Sequence, residues 1–173
     1  MTVGLSSSEL RTFMEQAVEA CITHVDRGGI PFVGVVVDDT GVISEFGVNK
    51  VRETGDHSAH AEIVAMRDAM ASRGSKNLSG TSLLATGEPC GLCYRFAIEQ
   101  QVDAVYVAVD RDVVAEWGFD YRVSYPALGI SDDKLEGFAH RLPVDRGMEP
   151  FSRYLQINTH YGRPSVRPWK GTS

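Results

Sequence analysis

Near the start of the chain, apolar residues recur at helical spacing. Leu10, Phe13, Met14, Ala17, Val18, Cys21, Ile22 and Val25 follow the i, i+3, i+4, i+7 rule. Ser6, with Glu9 three residues on, supplies a capping box in front of them. The pattern predicts an amphipathic helix running to about Asp26 and closed by Gly28-Gly29. Phe32 to Val37 is an apolar run rich in β-branched residues, predicting a buried strand entered by Pro31. The turn residues Asp38-Asp39-Thr40-Gly41 and a second strand, Val42 to Val48, complete a hairpin. A polar loop, Asn49 to Ser58, precedes a helix over His60 to Ser72, whose inner face is marked by Ile63, Met66 and Met70. A short strand, Ser82 to Thr86, leads through Gly87-Glu88-Pro89 into a helix over Cys90 to Gln101, and Val105 to Val109 is a further strand. Asp110 to Met148 shows no clear period, Pro150 to Asn158 suits a final helix, and Gly162 to Ser173 reads as irregular. This order of elements is that of an α/β sandwich with helices on a mixed sheet.

Composition narrows the picture without changing it. A chain of 173 residues, 43% hydrophobic and 23% charged, is one domain with room for a single core. The 17 basic against 23 acidic residues give a net charge of −6, no global reason to seek a phosphate backbone. Ile30 to Val37, the most apolar stretch, is too short to span a bilayer. Met1 to Ser8 has neither the basic nor the apolar part of a signal peptide, so a cytoplasmic location is expected. Three cysteines, an odd number, speak against a disulfide framework and for a metal or redox role of the close pair Cys90 and Cys93. Cys21 lies on the apolar stripe and is expected in the core. His24 lies off it and is expected to be solvated.

The candidate chemistry sits at two helix starts, His60-Ala61-Glu62 and Pro89-Cys90-Gly91-Leu92-Cys93. A thiolate at a helix N-terminus is stabilised by unpaired N–H groups and the dipole. Cys90 and Cys93, at i and i+3, share one face, so both sulfurs can reach one ion. Two thiolates and an imidazole leave the fourth tetrahedral position of Zn²⁺ open, as in catalytic rather than structural zinc sites. Zinc held this way brings water towards ionisation near neutral pH. Glu62, two residues after the histidine, is placed to accept a proton and pass it on. Alone, either half is weak: His-x-Glu is common on solvated helices, and Cys-x-x-Cys serves redox pairs and structural zinc sites. A structural site needs a fourth ligand, yet Cys21 reads as core, His57 as a loop residue, and His57, His140 and His160 have no partner at finger-like spacing.

Together, His-x-Glu and Pro-Cys-x-x-Cys are the signature of zinc-dependent base deaminases. Over roughly Leu10 to Asp120 the sequence resembles the cytidine/deoxycytidylate deaminase superfamily, in its branch of guanine, tRNA adenosine and fungal-type cytosine deaminases. The likeness rests on Pro31-Phe32, on Asp56-His57-Ser58-Ala59-His60-Ala61-Glu62-Ile63, on Glu88-Pro89-Cys90-Gly91-Leu92-Cys93 and on Ala104 to Val109. It implies a three-layer α/β/α sandwich on a central mixed five-stranded sheet with a parallel pair at its end, and a homodimer. It implies Zn²⁺ on His60, Cys90 and Cys93, and Glu62 as the catalytic proton carrier. Substrate contacts are implied for Asn49, for a Phe32 ring stacked on the base, for the Ala61 N–H on the ring edge, and for Asp120 of Gly118-Phe119-Asp120. Guanine or a related aminopurine is the expected substrate, a free base or nucleoside rather than nucleic acid or membrane. A cytosine or other pyrimidine deaminase, a tRNA adenosine deaminase and a non-catalytic zinc-binding module are the alternatives. For the tRNA reading, Arg163, Arg167 and Lys170 in the tail are the residues able to touch phosphate.

The sequence departs from the family pattern at three places. Val33 replaces a frequent glycine, which would narrow the pocket or shift the strand. Arg95 and Phe96 replace small residues after the second cysteine, which bears on the dimer interface, the pocket floor or both. Gly87 replaces a hydroxyl or cysteine residue before Glu-Pro-Cys. Residues 121–173 are a candidate C-terminal lid or interface segment within the single domain.

Overall fold

A computed structural model describes residues 4–159. The tail arginines and lysine singled out above, with His160, lie outside the described residues. In chain order the elements are α1 (Ser7–Asp26), β1 (Val33–Asp38), β2 (Gly41–Val42), β3 (Gly47–Val48), α2 (Val51–Thr54), α3 (Ala61–Arg73) and β4 (Ser82–Gly87). There follow α4 (Gly91–Glu99), β5 (Ala104–Val109), α5 (Arg111–Glu116), α6 (Ser124–Ala127), α7 (Asp132–Leu135), β6 (Ala139–Arg141) and α8 (Glu149–Asn158).

The capping box opens α1 as the pattern requires: Ser6 Oγ accepts from Glu9 N–H, and Glu9 accepts from Ser6 N–H at 2.8 Å. Such a cap is worth about 1 kcal/mol. The predicted stripe of α1 is buried except for the half-buried Phe13, and Leu10, Met14, Ala17 and Cys21 pack against β1 and β4. β1 is buried on both faces, which is why it reads as an unbroken apolar run. Its alternation sends Val33, Val35 and Val37 towards α1, while Gly34 and Val36 face α3.

The sheet runs β2-β1-β4-β5-β6, with β3 sharing the position of β2 beside β1. β1 is antiparallel to β4, and β4, β5 and β6 are mutually parallel in that order. α4 provides the crossover that two parallel neighbours need. α1 packs on one face and α3 and α4 on the other, the expected three-layer sandwich, while α8 packs against α1 and sends Phe151 into the cluster shared with α3 and α4.

Four local expectations are corrected. The strand expected over Val42 to Val48 is split, because Ser44 Oγ accepts from Val36 N–H at 2.9 Å and so takes a ladder bond for a side chain. The loop before α3 contains the helical turn α2. The unpatterned stretch after Asp110 holds α5, α6, α7 and β6, each too short for a period to show. His24 is half-buried rather than solvated, with its ring so close that a Cβ on Gly29 would fall 2.1 Å from it; burial pulls its pKa down.

Candidate active site

The candidate residues, Asp120 excepted, converge where β1 begins and β3 and β4 end. β3 pairs with β1 at Val48↔Val33 and Gly47↔Gly34, which brings Asn49 to the same end of the sheet as Phe32. β4 arrives antiparallel to β1 and delivers Glu88-Pro89-Cys90 there, the loop end of parallel strands where α/β proteins place ligands. α3 reaches this end because the paired glycines leave a flat spot under its first turn. A Cβ on Gly34 would lie 2.9 Å from Glu62 Cα, and one on Gly47 only 2.3 Å from the Ala61 carbonyl. Neither glycine attracts attention in the sequence, since each sits inside an apolar strand.

His60 is the N-cap of α3 and Cys90 the N-cap of α4, both in extended backbone. His60 Nδ1 is 3.4 Å from Cys90 Sγ and 3.5 Å from Cys93 Sγ, and the two sulfurs are 3.7 Å apart. A tetrahedral ion with bonds of about 2.3 Å to sulfur and about 2.0–2.1 Å to nitrogen holds its sulfurs about 3.8 Å apart and each about 3.5 Å from the nitrogen. The three side chains, all buried, therefore already have the dimensions of a mononuclear zinc site.

Glu62 is 4% exposed, and its Oε2 accepts from Cys93 S–H at 3.3 Å. Burial pushes its carboxyl up from the ordinary carboxylate range, and the Cys90 charge adds to this. A raised carboxyl can hold a proton as well as release it. Of the two thiols, Cys90 is held well below the ordinary range by its hydrogen bond with Cys93 and by His60, while burial pushes Cys93 up.

One cleft is lined by His60, Ala61, Glu62 and Cys90 together with Phe32 and Asn49. As the first residue of α3, Ala61 carries one of the N–H groups that the helix itself does not satisfy. Asn49 spends its Oδ1 on Val51 N–H at 3.1 Å, an Asx turn that fixes the side chain at the cleft edge. Phe32 is held by edge-on rings at 5.2 Å (Phe119), 5.7 Å (Phe151) and 6.2 Å (Tyr121).

Asp120 is not brought to the cleft. It is exposed, and Arg122 occupies it: the Arg122 N–H donates to Oδ1 at 3.1 Å and its guanidinium pairs with Oδ2 at 2.8 Å, which holds the carboxyl below its usual range. The next residue, Tyr121, is buried and lines the cleft, as do Ile30 and Glu88. Sequence reasoning passed over these three. Only the adjacency of Tyr121 to Gly118-Phe119-Asp120 hinted at one of them.

The departures resolve as follows. Val33 points to α1, away from the cleft, so it does not narrow it. Arg95 pairs with Glu99 at 2.7 Å on the outer face of α4, and Phe96 lies under Arg67 at 5.8 Å; neither floors the cleft. Gly87 leaves room for Phe32, because a Cβ there would come 2.7 Å from its ring.

His60, Cys90 and Cys93 lie buried at zinc spacing with Glu62 beside them and a cleft in front, an arrangement that suits zinc-dependent hydrolysis. The chain belongs to the cytidine and deoxycytidylate deaminase family, whose zinc-binding region matches residues 7–109. It is 36% identical over 144 residues to the guanine deaminase of Bacillus subtilis, covering 83% of this chain and 92% of that protein. A crystal structure of guanine deaminase from Bacillus subtilis superposes with a TM-score of 0.63 at 27% identity, over 88% of this chain and 97% of that one. A tRNA-specific adenosine deaminase of Agrobacterium fabrum is 38% identical over 86 residues, 50% of this chain and 56% of that protein. The guanine deaminase of Nitrosomonas europaea shares the fold, with a TM-score of 0.67 at 23% identity over 89% of this chain and 86% of that one.

Proposed function

We propose that this deaminase acts on guanine or a closely related aminopurine as a free base, and that His60 Nδ1, Cys90 Sγ and Cys93 Sγ hold its zinc. The observation that carries the reading is the trio at zinc spacing with Glu62 Oε2 3.3 Å from Cys93 Sγ, inside a cleft walled by Phe32 and Asn49. When bound, zinc supplies a Lewis acid that readies water for attack. Water adds to the ring carbon bearing the exocyclic amine, a C–O bond forms, the C–N bond breaks, and ammonia leaves.

Glu62 carries the protons. Its carboxylate takes one from the attacking water and gives it to the adjacent ring nitrogen, then takes the remaining proton of the added hydroxyl and gives it to the departing amine. Burial suits it to both roles by raising its affinity for the proton. The ring of Phe32 packs on the base, the Asn49 amide N–H donates to a ring acceptor, and the Ala61 N–H meets the ring edge. Substrate of the wrong donor pattern leaves these groups unpaired, which discriminates far more strongly than a change of size.

The guanine assignment draws on the similarity to the Bacillus subtilis enzyme across 83% of this chain, against half of it for the tRNA deaminase of Agrobacterium fabrum. The net charge of −6 gives little steering towards a polynucleotide. No helix among the described residues is long and apolar enough to cross a membrane. A homodimer free in the cytoplasm completes the reading. Ammonia release from guanine, guanosine, adenine, cytosine and tRNA, assayed side by side, tests it. Guanine should lead by kcat/KM; preferred turnover of cytosine or tRNA would move the assignment to another branch of the family.

A further inference from the structure

The five residues Tyr121–Tyr125 supply three side chains to one short stretch of backbone. Tyr121 OH donates to the carbonyl of Glu88. Tyr125 OH donates to the carbonyl of Pro89. Ser124 Oγ accepts from Gly91 N–H at 2.8 Å and itself donates to the Tyr121 carbonyl at 2.6 Å. The carbonyl of Pro89 and the N–H of Gly91 belong to the two peptide planes that flank Cys90. Pinning both planes fixes the φ of −69° and ψ of 172° that aim the Cys90 side chain.

The contact is built for closeness. A Cβ on Gly91 would fall 2.4 Å from the Ser124 carbonyl, so only glycine admits the segment at that distance. Tyr125 is fixed in turn: the Arg111 guanidinium lies 4.5 Å over its ring and Tyr94 packs at 6.0 Å. Arg111 N–H and Tyr94 OH both donate to the Glu88 carboxylate, at 2.7 and 2.9 Å, which ties the other end of the turn.

We propose that Tyr121, Ser124 and Tyr125 are positioning residues of the metal centre. They act through Cys90, and Tyr121, whose ring is also a wall of the cleft, ties the occupant of the cleft to the same turn. This rests on the reading of Cys90 as a zinc ligand. Partners that orient metal ligands typically change metal affinity or activity by about 10–100-fold when removed.

The test uses the full chain loaded with zinc, and separately with cobalt as a spectroscopic stand-in. Ser124→Ala and Tyr125→Phe should each speed zinc release to a chelator by about tenfold. Both should shift the cobalt absorption bands and lower kcat with little change in KM. Tyr121→Phe, which keeps the wall, should share the faster release, whereas Tyr121→Leu should also raise KM. Val123→Ser, at a residue 78% exposed between the positioning residues, should match the wild type in all readouts. Ser124→Ala removes a single oxygen and keeps the test standing if Tyr125→Phe does not fold. Wild-type bands and release rates in Ser124→Ala and Tyr125→Phe, alongside a clear change in Cys90→Ser, would overturn the proposal. An unchanged cobalt spectrum in Cys90→Ser would instead overturn the ligand reading beneath it.

Discussion

Gly87→Ala is the sharpest probe of how the cleft gets its shape. The added Cβ would lie 2.7 and 2.9 Å from two ring atoms of Phe32 and 3.2 Å from Phe151 Cζ. The Phe32 ring has little room to retreat within the protein, because Phe119, Phe151 and Tyr121 already meet it at 5.2, 5.7 and 6.2 Å. Its open side is the cleft. Overpacking of this kind costs about 1–3 kcal/mol. If Phe32 stays in place, the strain appears as lost stability, about 2–4 °C in Tm for each kcal/mol in a chain of this size. If Phe32 tilts into the cleft, the strain is relieved at the expense of substrate, and about 1.4 kcal/mol becomes a tenfold rise in KM. Thermal melts and guanine kinetics on the same preparation divide the two. Adding Phe32→Leu should recover the lost stability, since the shorter side chain yields the space. A Gly87→Ala protein with wild-type Tm and wild-type KM would refute the reasoning, and with it the account of why glycine stands there.

Elemental analysis should find close to one zinc per chain, and alanine at His60, Cys90 or Cys93 should lose it. Cys21→Ser should keep it, because Cys21 is buried on the inner face of α1 against Thr86. Gly34→Ala presses a Cβ to 2.9 Å from the backbone of Glu62. It should lower kcat about tenfold or more, since a displacement of about 1 Å can cost about 10²-fold; an unchanged kcat would mean α3 yields without moving Glu62. Asp56 is held down to about 2 from 3.8 by hydrogen bonds from Ser58 and then Arg67. A depressed carboxyl stabilises the fold above its unfolded value and loses that effect as pH falls through the folded one. The Tm gap between wild type and Asp56→Asn should therefore close between pH 4 and about 2, and a pH-independent gap would contradict this.

The sequence made legible what local periodicity or a short motif encodes. α1 follows from Ser6, Glu9 and the stripe behind them, and β1, β4 and β5 from their apolar runs. The trio and Glu62 follow from spacing at two helix starts. What it hid depends on contacts far along the chain. Tyr121 and Tyr125 meet the cysteine turn across 33 and 36 residues, a partnership no window of sequence displays. The resemblance of Gly118-Phe119-Asp120 to the family's segment points to Asp120, yet Arg122 two residues on pairs with its carboxylate and the neighbouring Tyr121 lines the cleft. The seat of α3 on Gly34 and Gly47 depends on pairing across the β1–β3 hairpin, where a missing side chain leaves no mark in a pattern of apolar positions.

The central claim is that Glu62 moves protons for a deamination at a zinc site made by His60, Cys90 and Cys93. Its most direct measurement is ammonia release from guanine by Glu62→Gln, with zinc content and thermal melt recorded on the same sample. The account predicts one zinc per chain, a folded protein, and turnover reduced by about 10²–10⁴-fold, the usual worth of a positioned acid–base group. A folded, zinc-loaded Glu62→Gln that releases ammonia near the wild-type rate would contradict it.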